Sequence, residues 1–332
     1  MTDPQRGFTI EGFDEAVIIV RRPEPHLACW LDVGGFTVAH RGVVDPRLLA
    51  AWALPAGAAG EEWLLSHPDV GTGRVRLVQL GGAGQQDDLR ADDQCWDHGG
   101  IFDLNVRVLD IAAKAAALRE LQWHGASPPV TWDFGAVRVR EWIVRGPDNV
   151  RLALIERVAP PLADFDHLRH FSQVFNSSQI VRDMDAALTF YRDVLGFRLT
   201  VDHDAPAYPA GRPNVLGLPS LPAGGASLSI RIVHPGGAMA GSIELVAIRG
   251  AAGLDVSTPS GPPHHGMAAL RLPVRGMPAL TAHLRDQGVA IAMAPTRVCL
   301  APHGEVTVMA VRSPEGAWLE FYEPAVAAGA AA

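Results

Sequence analysis

The spacing of apolar and polar positions changes period several times along this chain, and the changes recur. Residues 173–182 (QVFNSSQIVR) read as a strand. Asp183 stands where a helix N-cap belongs, and Met184, Leu188, Tyr191 and Leu195 then recur at helical spacing, so one helix face packs on a sheet. Gly196 sits where a helix stops in the left-handed conformation, and Phe197 opens the next strand. The same punctuation occurs near the start. Residues 14–20 (DEAVIIV) predict a strand and residues 26–33 (HLACWLDV) a weak helix, and GGFTVAH places Phe36 where Phe197 stands later.

The recurrence extends further. LPAGAAGEEWLLSHPDVGTGRVRLVQL (54–80) aligns with LPAGGASLSIRIVHPGGAMAGSIELVAI (221–248), with Leu-Pro-Ala-Gly and His-Pro at the same separation and GRVRLV over GSIELV. IFDLNVRVLDI followed by IAAKAAALRELQWHG is a strand and a helix, and so is MAALRLPVRGM followed by PALTAHLRDQG. Ile111, Ala115 and Leu118, and likewise Met277, Leu280 and Leu284, form inward stripes. VRGPDNVRLALIE (144–156) and VRSPEGAWLEFYE (311–323) read as closing hairpins on Pro-Asp-Asn and Pro-Glu-Gly turns. An internal repeat of this kind says more than any single motif. It predicts four βαβββ modules, 8–80, 99–157, 168–249 and 264–325, in an α+β fold. The polar, Gly-rich 81–98 and PPLADFDHL (160–168) are the expected linkers, and two domains follow, 8–157 and 166–325, with modules one and two in the first and three and four in the second.

The strand–helix–Gly-Phe–strand unit, and FYRDVLGF within it, resembles the opening of a module in the vicinal-oxygen-chelate (glyoxalase/bleomycin-resistance/extradiol dioxygenase) superfamily. The resemblance runs over nearly the whole chain and is strongest in modules three and four. It implies sheets curled into cups, each built by two modules, with a divalent metal at the floor held by His and Glu from the first and last strand of each module. By motif, those positions fall on Asn176, Glu244, Ala269 and Glu320 in the second half and on Glu15, Arg76, Asp103 and Ala153 in the first. The family histidines are missing, and an arginine cannot ligate a metal. No metal or other cofactor is therefore expected. If a divalent ion binds, Asn176, Glu244 and Glu320 are its all-oxygen ligands, a set suited to magnesium, calcium or manganese. Arg76 is expected to point into its cup and pair with Glu15 or Asp103.

Strand parity adds Ser178, Asn105, Arg107, Arg271, Trp318 and Tyr322 to the inward faces, a lining suited to an oxygen-rich, partly aromatic small molecule. His265 shares the parity of Ala269 and can reach the mouth, although a surface pair with His264 after Gly-Pro-Pro is the plainer reading. His67 and His234 occupy equivalent His-Pro turns, which argues for a turn role. His203, in a Pro- and Gly-rich stretch, and Trp96-Asp97-His98 are candidate lids. Two readings follow. In the first the protein is a lyase or isomerase working by proton transfer, with Glu320 or Glu244 as base and Arg271 steadying an enolate. In the second it only binds and sequesters a small molecule, as resistance members of the superfamily do. A metal-dependent glyoxalase or dioxygenase with ligands at other positions is a third. Against all of them stands the plain alternative that Arg271 and Glu320 or Glu244 neutralise each other as a structural pair.

Composition narrows the partners. The 332 residues carry a net charge of −8 and no basic cluster, which argues against nucleic acid. No apolar run is long enough to span a bilayer. Cys29, Cys95 and Cys299 are scattered and odd in number, so neither a disulfide framework nor a zinc motif is expected. The N-terminus lacks the pattern of a signal peptide, and a cytoplasmic location is expected. The expected partner is a small-molecule ligand, with a homodimer left open.

Overall fold

The structure is a computed structural model and describes residues 6–91, 94–163, 165–205, 213–217, 227–258 and 260–324. The second copy of Leu-Pro-Ala-Gly, most of the stretch after His203 and the Ala-rich tail lie outside the described residues.

Four modules are present. The first runs β1 (Thr9–Ile10), β2 (Glu15–Ile19), α1 (Glu24–Leu27), β3 (Thr37–Val43), α2 (Pro46–Ala51), β4 (Ala59–Ser66) and β5 (Arg74–Gly81). The second is β6 (Asp103–Val108), α3 (Ile111–Glu120), β7 (His124–Gly125), β8 (Val130–Phe134), β9 (Val137–Arg145) and β10 (Arg151–Ala159). The third is β11 (Asn176–Ile180), α4 (Met184–Leu188), β12 (Arg198–Ala205), β13 (Ser227–His234) and β14 (Ser242–Arg249). The fourth is β15 (Gly266–Arg275), α5 (Met277–Asp286), β16 (Ile291–Leu300), β17 (Gly304–Arg312) and β18 (Trp318–Pro324). Apart from the two-residue β1, which pairs antiparallel with β15, the first strand of every module lies parallel to the last: β2 on β5, β6 on β10, β11 on β14 and β15 on β18.

The local signals act as expected. The Asp183 side chain accepts from the Ala186 amide at 2.9 Å and starts α4. Both α1 and α4 widen in their last turns, over 28–33 and 189–194, before Gly35 (φ 73°) and Gly196 (φ 80°) reverse the chain into Phe36 and Phe197.

The pairing of modules differs from the expectation. One sheet runs β16-β17-β18-β15-β2-β5-β4-β3 and joins module four to module one; the other runs β12-β13-β14-β11-β6-β10-β9-β7 and joins module three to module two. The joints are the antiparallel pairs β15–β2 and β11–β6. The reason lies in the seams. Phe13 N donates to Gly241 O at 3.0 Å and Val174 N to Gly73 O at 3.1 Å, and the chain passes from one sheet to the other between modules one and two and between modules three and four. Gly241 (φ 80°) is required there, since a Cβ would stand 2.8 Å from Phe13 O.

Alternation then sorts the residues. Ala16 and Ile18, Leu104 and Val106, and Leu270 and Leu272 face the helices in one core cluster that draws on all four modules, with Trp30, Leu118, Tyr191 and Leu284 from the helical segments. The opposite faces form two concave floors. The first is filled: Leu48 and Leu49 of α2 and the adjoining Trp52 pack with Val17, Val78, Met293 and Trp318. The second keeps a cavity between Phe102, Ile180, Ile230 and Val246.

Each half of the chain thus supplies half of each sheet. Residues 8–157 expressed alone are expected to show no cooperative thermal transition by circular dichroism, because β2 loses β15 and β6 loses β11. Co-expression with 166–325 should restore it. A monomeric N-terminal half that melts cooperatively would overturn this pairing.

Candidate functional site

The two floors treat buried charge in opposite ways. On the first, Glu15 faces Arg271 across β2–β15, and Arg271 faces Glu320 across β15–β18. Arg76 holds Glu15 with two bonds of 2.7 and 2.9 Å and meets Glu62 at 2.9 Å. Its Nη2 also donates to the Ala301 carbonyl. Arg271 donates from Nε to Glu320 at 2.7 Å and from Nη1 to Glu15 at 2.6 Å. Trp52 and Trp318 donate their indole N–H to Glu320 Oε1 at 2.7 and 3.1 Å. Burial pushes the Glu15 carboxyl up, yet Arg76 and then Arg271 outweigh it and hold it at about 2. Burial likewise works against the Arg271 charge, and Glu320 and Glu15 more than restore it.

This arrangement decides several expectations. Arg76 points inward and pairs with Glu15, and Asp103 is in the other sheet. Glu320 and Glu244 do not meet: β18 and β14 belong to different sheets, so they form no coupled pair and no metal set with Asn176. Arg271 and Glu320 have no exposed surface and are spent on each other, which removes the geometry for a base and an enolate clamp. Trp318 packs beside Glu320, and Tyr322 donates to Asp14 at 2.8 Å, both away from the second floor. His265 sits at the start of β15, 3.7 Å from Asp88, outside the second cup. Asp97 accepts from the amides of Gln94 and Leu254 at 2.6 and 2.7 Å, which pins Trp96–His98 rather than freeing it as a lid. His203 lies within β12. His67 and His234 each accept backbone N–H bonds through Nδ1 and close their turns.

The second floor holds the candidate site. Its cavity, about 210 Å³, is lined by Asp103, Asn105 and Arg107 of β6, Glu141 of β9, Arg157 of β10, Ser178 of β11 and Glu244 of β14. Phe175, Ile230, Ile232, Trp132, Val215 and Leu216 supply apolar wall. Asp103 stands opposite Ser178, and Ser178 opposite Glu244, so the two carboxyls flank one hydroxyl. Asn105 donates to Asn176 Oδ1 at 2.5 Å, and Asn176 to Ser242 at 2.8 Å, one row further along. Ala153 faces Asn105 in that row.

At all three carboxyls burial outweighs the nearby positive charge, the reverse of Glu15. Burial raises Asp103 to about 6, opposed by its bonds from Ser178 and then by the charges of Arg151 and Arg90. Burial raises Glu141 to about 7, although Trp132 donates to it at 2.8 Å. Glu244 rises to about 8 through burial and then the repulsion of Asp103 and Glu141. Arg107 feels the same burial, falls to about 10, and lies 4.3 Å over the Phe175 ring. Glu141 escapes a reading confined to first and last strands, and Arg157 lies on a last strand but beyond the position that the motif marks there. Parity reveals Glu141, which shares its face with Val137, Val139 and Ile143 and is the one acid on it.

Two guanidiniums occupy the first floor, which does not fit a cation; the second offers oxygen donors without the imidazoles of the family pattern, beside Arg107. Among the described residues no group of three His, Cys, Asp or Glu could hold an ion. The described helices include none long and apolar enough to cross a membrane.

Residues 165–321 match the Glyoxalase/Bleomycin resistance protein/Dioxygenase superfamily. Among solved structures the fold is similar to glyoxalase I from Zea mays, at 13% identity and a TM-score of 0.62 over 97% of this chain and 95% of that one. It is also similar to a putative dioxygenase from Bacillus subtilis, at 10% identity and a TM-score of 0.56 over 96% and 86%. At these identities the likeness is one of fold. No curated protein sequence matches the chain.

Two outcomes follow. Arg271→Met should destabilise the protein by about 3–5 kcal/mol in urea titration, because it strands the Glu320 and Glu15 charges. An effect within about 0.5 kcal/mol, the range of ordinary surface changes, would mean that the cluster is not paired as described. Glu244 works in the opposite direction. Its native pKa of about 8 lies above the ordinary 4.5, so the native state binds the extra proton between those values and loses stability as pH rises through that window. Glu244→Gln removes the penalty. Its stability relative to the parent should climb from pH 5 to 8 and then level off; a difference that does not vary with pH would refute the raised pKa.

Proposed function

For a chain carrying a vicinal-oxygen-chelate superfamily domain, a superfamily with enzymes among its members, we propose that the second cup is a small-molecule site for proton-transfer chemistry of lyase or isomerase type. The observation that carries this reading is the set of three carboxyls in one partly dry cavity, with pKa values near 6, 7 and 8. Ordinary carboxyls at neutral pH are bases only. Here Asp103 is mostly ionised while Glu244 is mostly protonated, so a base and an acid coexist at the same pH. The three titrate as a coupled set, and the apparent values belong to the cluster rather than to single residues.

The chemistry that suits them is abstraction of a proton from carbon beside a carbonyl. Asp103 takes the carbon-bound proton, and Glu244 delivers its own to the carbonyl oxygen as charge develops there. In a 2-hydroxy carbonyl compound Asp103 returns its proton to the former carbonyl carbon while the other enediol hydroxyl gives its proton back to Glu244, which yields an isomer; where the β-carbon carries a leaving group, that group departs with the Asp103 proton and the enol O–H proton returns to Glu244, which yields a lyase product. Glu141, held by Trp132, is placed to exchange the proton with solvent or with its neighbours. The apolar wall favours the neutral forms and makes each transfer small in free energy. Glu320 and Arg271 have no part in this scheme.

The test is exchange of deuterium from solvent into carbon acids, ketones and 2-oxo acids among them, followed by proton NMR. The parent should accelerate exchange for at least one class, with a rate inflecting between about pH 6 and 8. Glu244→Gln should lower that rate about a hundredfold or more. Tight binding without exchange for every compound would instead indicate a sequestering protein.

A further inference from the structure

Asp103 and Glu244 account for one end of the cavity, and two cations stand at the other, where Glu141 shares a cross-strand row with Arg107 through Ile155. Arg107 is the last inward residue of β6, beyond Asp103 and Asn105, and it faces Ile155 of β10; Arg157 is the next inward residue along β10. Both line the cavity. Arg107 is nine-tenths buried, and its Nε has no hydrogen-bond partner; the Nε of Arg157 is buried and unpartnered too. Arg107 touches Glu141 and Glu244 only through space, and Arg157 repels it. Two like charges on adjacent strands, one of them stacked on Phe175, are costly unless an anion completes them. The first floor shows what completion looks like: there each guanidinium meets carboxylates at hydrogen-bond distance.

We propose that Arg107 and Arg157 form the carboxylate subsite of the second cup, and that its ligand is a small organic acid with an apolar or aromatic body. A planar carboxylate can take two parallel N–H bonds from a guanidinium, the geometry that Glu15 gives Arg76 in the same protein. The body of such a ligand would run from the arginines along Phe175, Ile232 and Ile230 towards Asp103 and Glu244, which puts its far carbon at the proton-transfer end. This assignment rests on the small-molecule reading of the cup but not on its chemistry.

The experiment is isothermal titration calorimetry with three probes that share a phenyl body: phenylacetate, 2-phenylethanol and phenyl phosphate. The parent should bind phenylacetate at least tenfold tighter than the alcohol. Arg107→Met and Arg157→Met, which keep an apolar stem and remove the charge, should each weaken phenylacetate about tenfold or more and leave the alcohol unchanged. Equal binding of acid and alcohol, equal weakening of both by the variants, or no binding of any probe would overturn the subsite. Preference for phenyl phosphate would overturn its assignment to a carboxylate. Should Arg107→Met fail to fold, the comparison of acid with alcohol on the parent and the Arg157→Met arm still decide. Glu244→Gln separates the two readings. It should bind phenylacetate no more weakly than the parent while losing proton exchange. Acid-selective binding without exchange by any compound refutes the chemistry and keeps the subsite; exchange confined to uncharged carbon acids does the reverse.

Discussion

Two guanidiniums locked among three carboxylates on the first floor set the terms for the rest of the molecule. Glu15, Arg76, Arg271 and Glu320 are buried almost completely, and each is held by direct hydrogen bonds. Such a cluster adds little net stability, because removing its charges from water offsets most of their attraction. Its weight is in register. A slip of one residue between β15 and β2 would turn Arg271 towards the helices and leave two carboxylates in apolar surroundings. Because β2 and β5 lie near the N-terminus and β15 and β18 near the C-terminus, this requirement ties the ends of the chain into one sheet. Modules two and three are then left to each other.

The second sheet meets the same topology with different side chains. Asp103, Ser178 and Glu244 stand on first and last strands as Glu15, Arg271 and Glu320 do on the other floor. Arg151 of β10, in register beside Asp103, offsets the burial of that carboxyl only in part. A buried carboxyl has two routes out of this difficulty: a cationic partner, or a proton. The first floor takes the partner and Glu15 falls to about 2; the second takes the proton and Glu244 rises to about 8. One fold thus holds a directly paired ion cluster on one floor and, on the other, a carboxyl set that titrates near neutral pH.

The sequence made the modules legible because their signals are local. The Asp183 cap, the Gly-Phe exits at 196–197 and 35–36, and the alternation that puts Asp103, Asn105 and Arg107 on one face all act within a few residues. The partnership of modules was not legible in this way. Glu320 and Glu244 occupy equivalent positions in neighbouring repeats, and nothing near either residue tells which first strand will lie beside it. That choice is made by contacts far apart in sequence, such as Phe13 with Gly241 and Gly73 with Val174. The parity argument therefore found the inward residues and distributed them over the wrong floors. Glu141 and Arg157 stayed hidden for another reason: they sit on a strand interior to the module and at a strand end, and the family pattern draws attention to neither.

The apolar wall of the second cup and the acidity of its carboxyls are one physical feature. Ile230, Ile232, Val246 and Phe175 would hold the body of a ligand, and the same side chains limit the water that reaches the half-buried Glu244. A polar substitution in that wall acts on both at once: it lowers affinity for an apolar body and lets the carboxyl fall towards its ordinary value. The first cup shows the opposite limit. There Trp52 and the α2 residues fill the concavity, and what remains polar is spent on internal pairs. A cup of this fold can be packed or reactive, because the desolvation that raises a carboxyl's pKa without a partner requires space that packing would remove. On the reading proposed here, the protein divides those alternatives between its two sheets, with the packed one holding the register on which the open one depends.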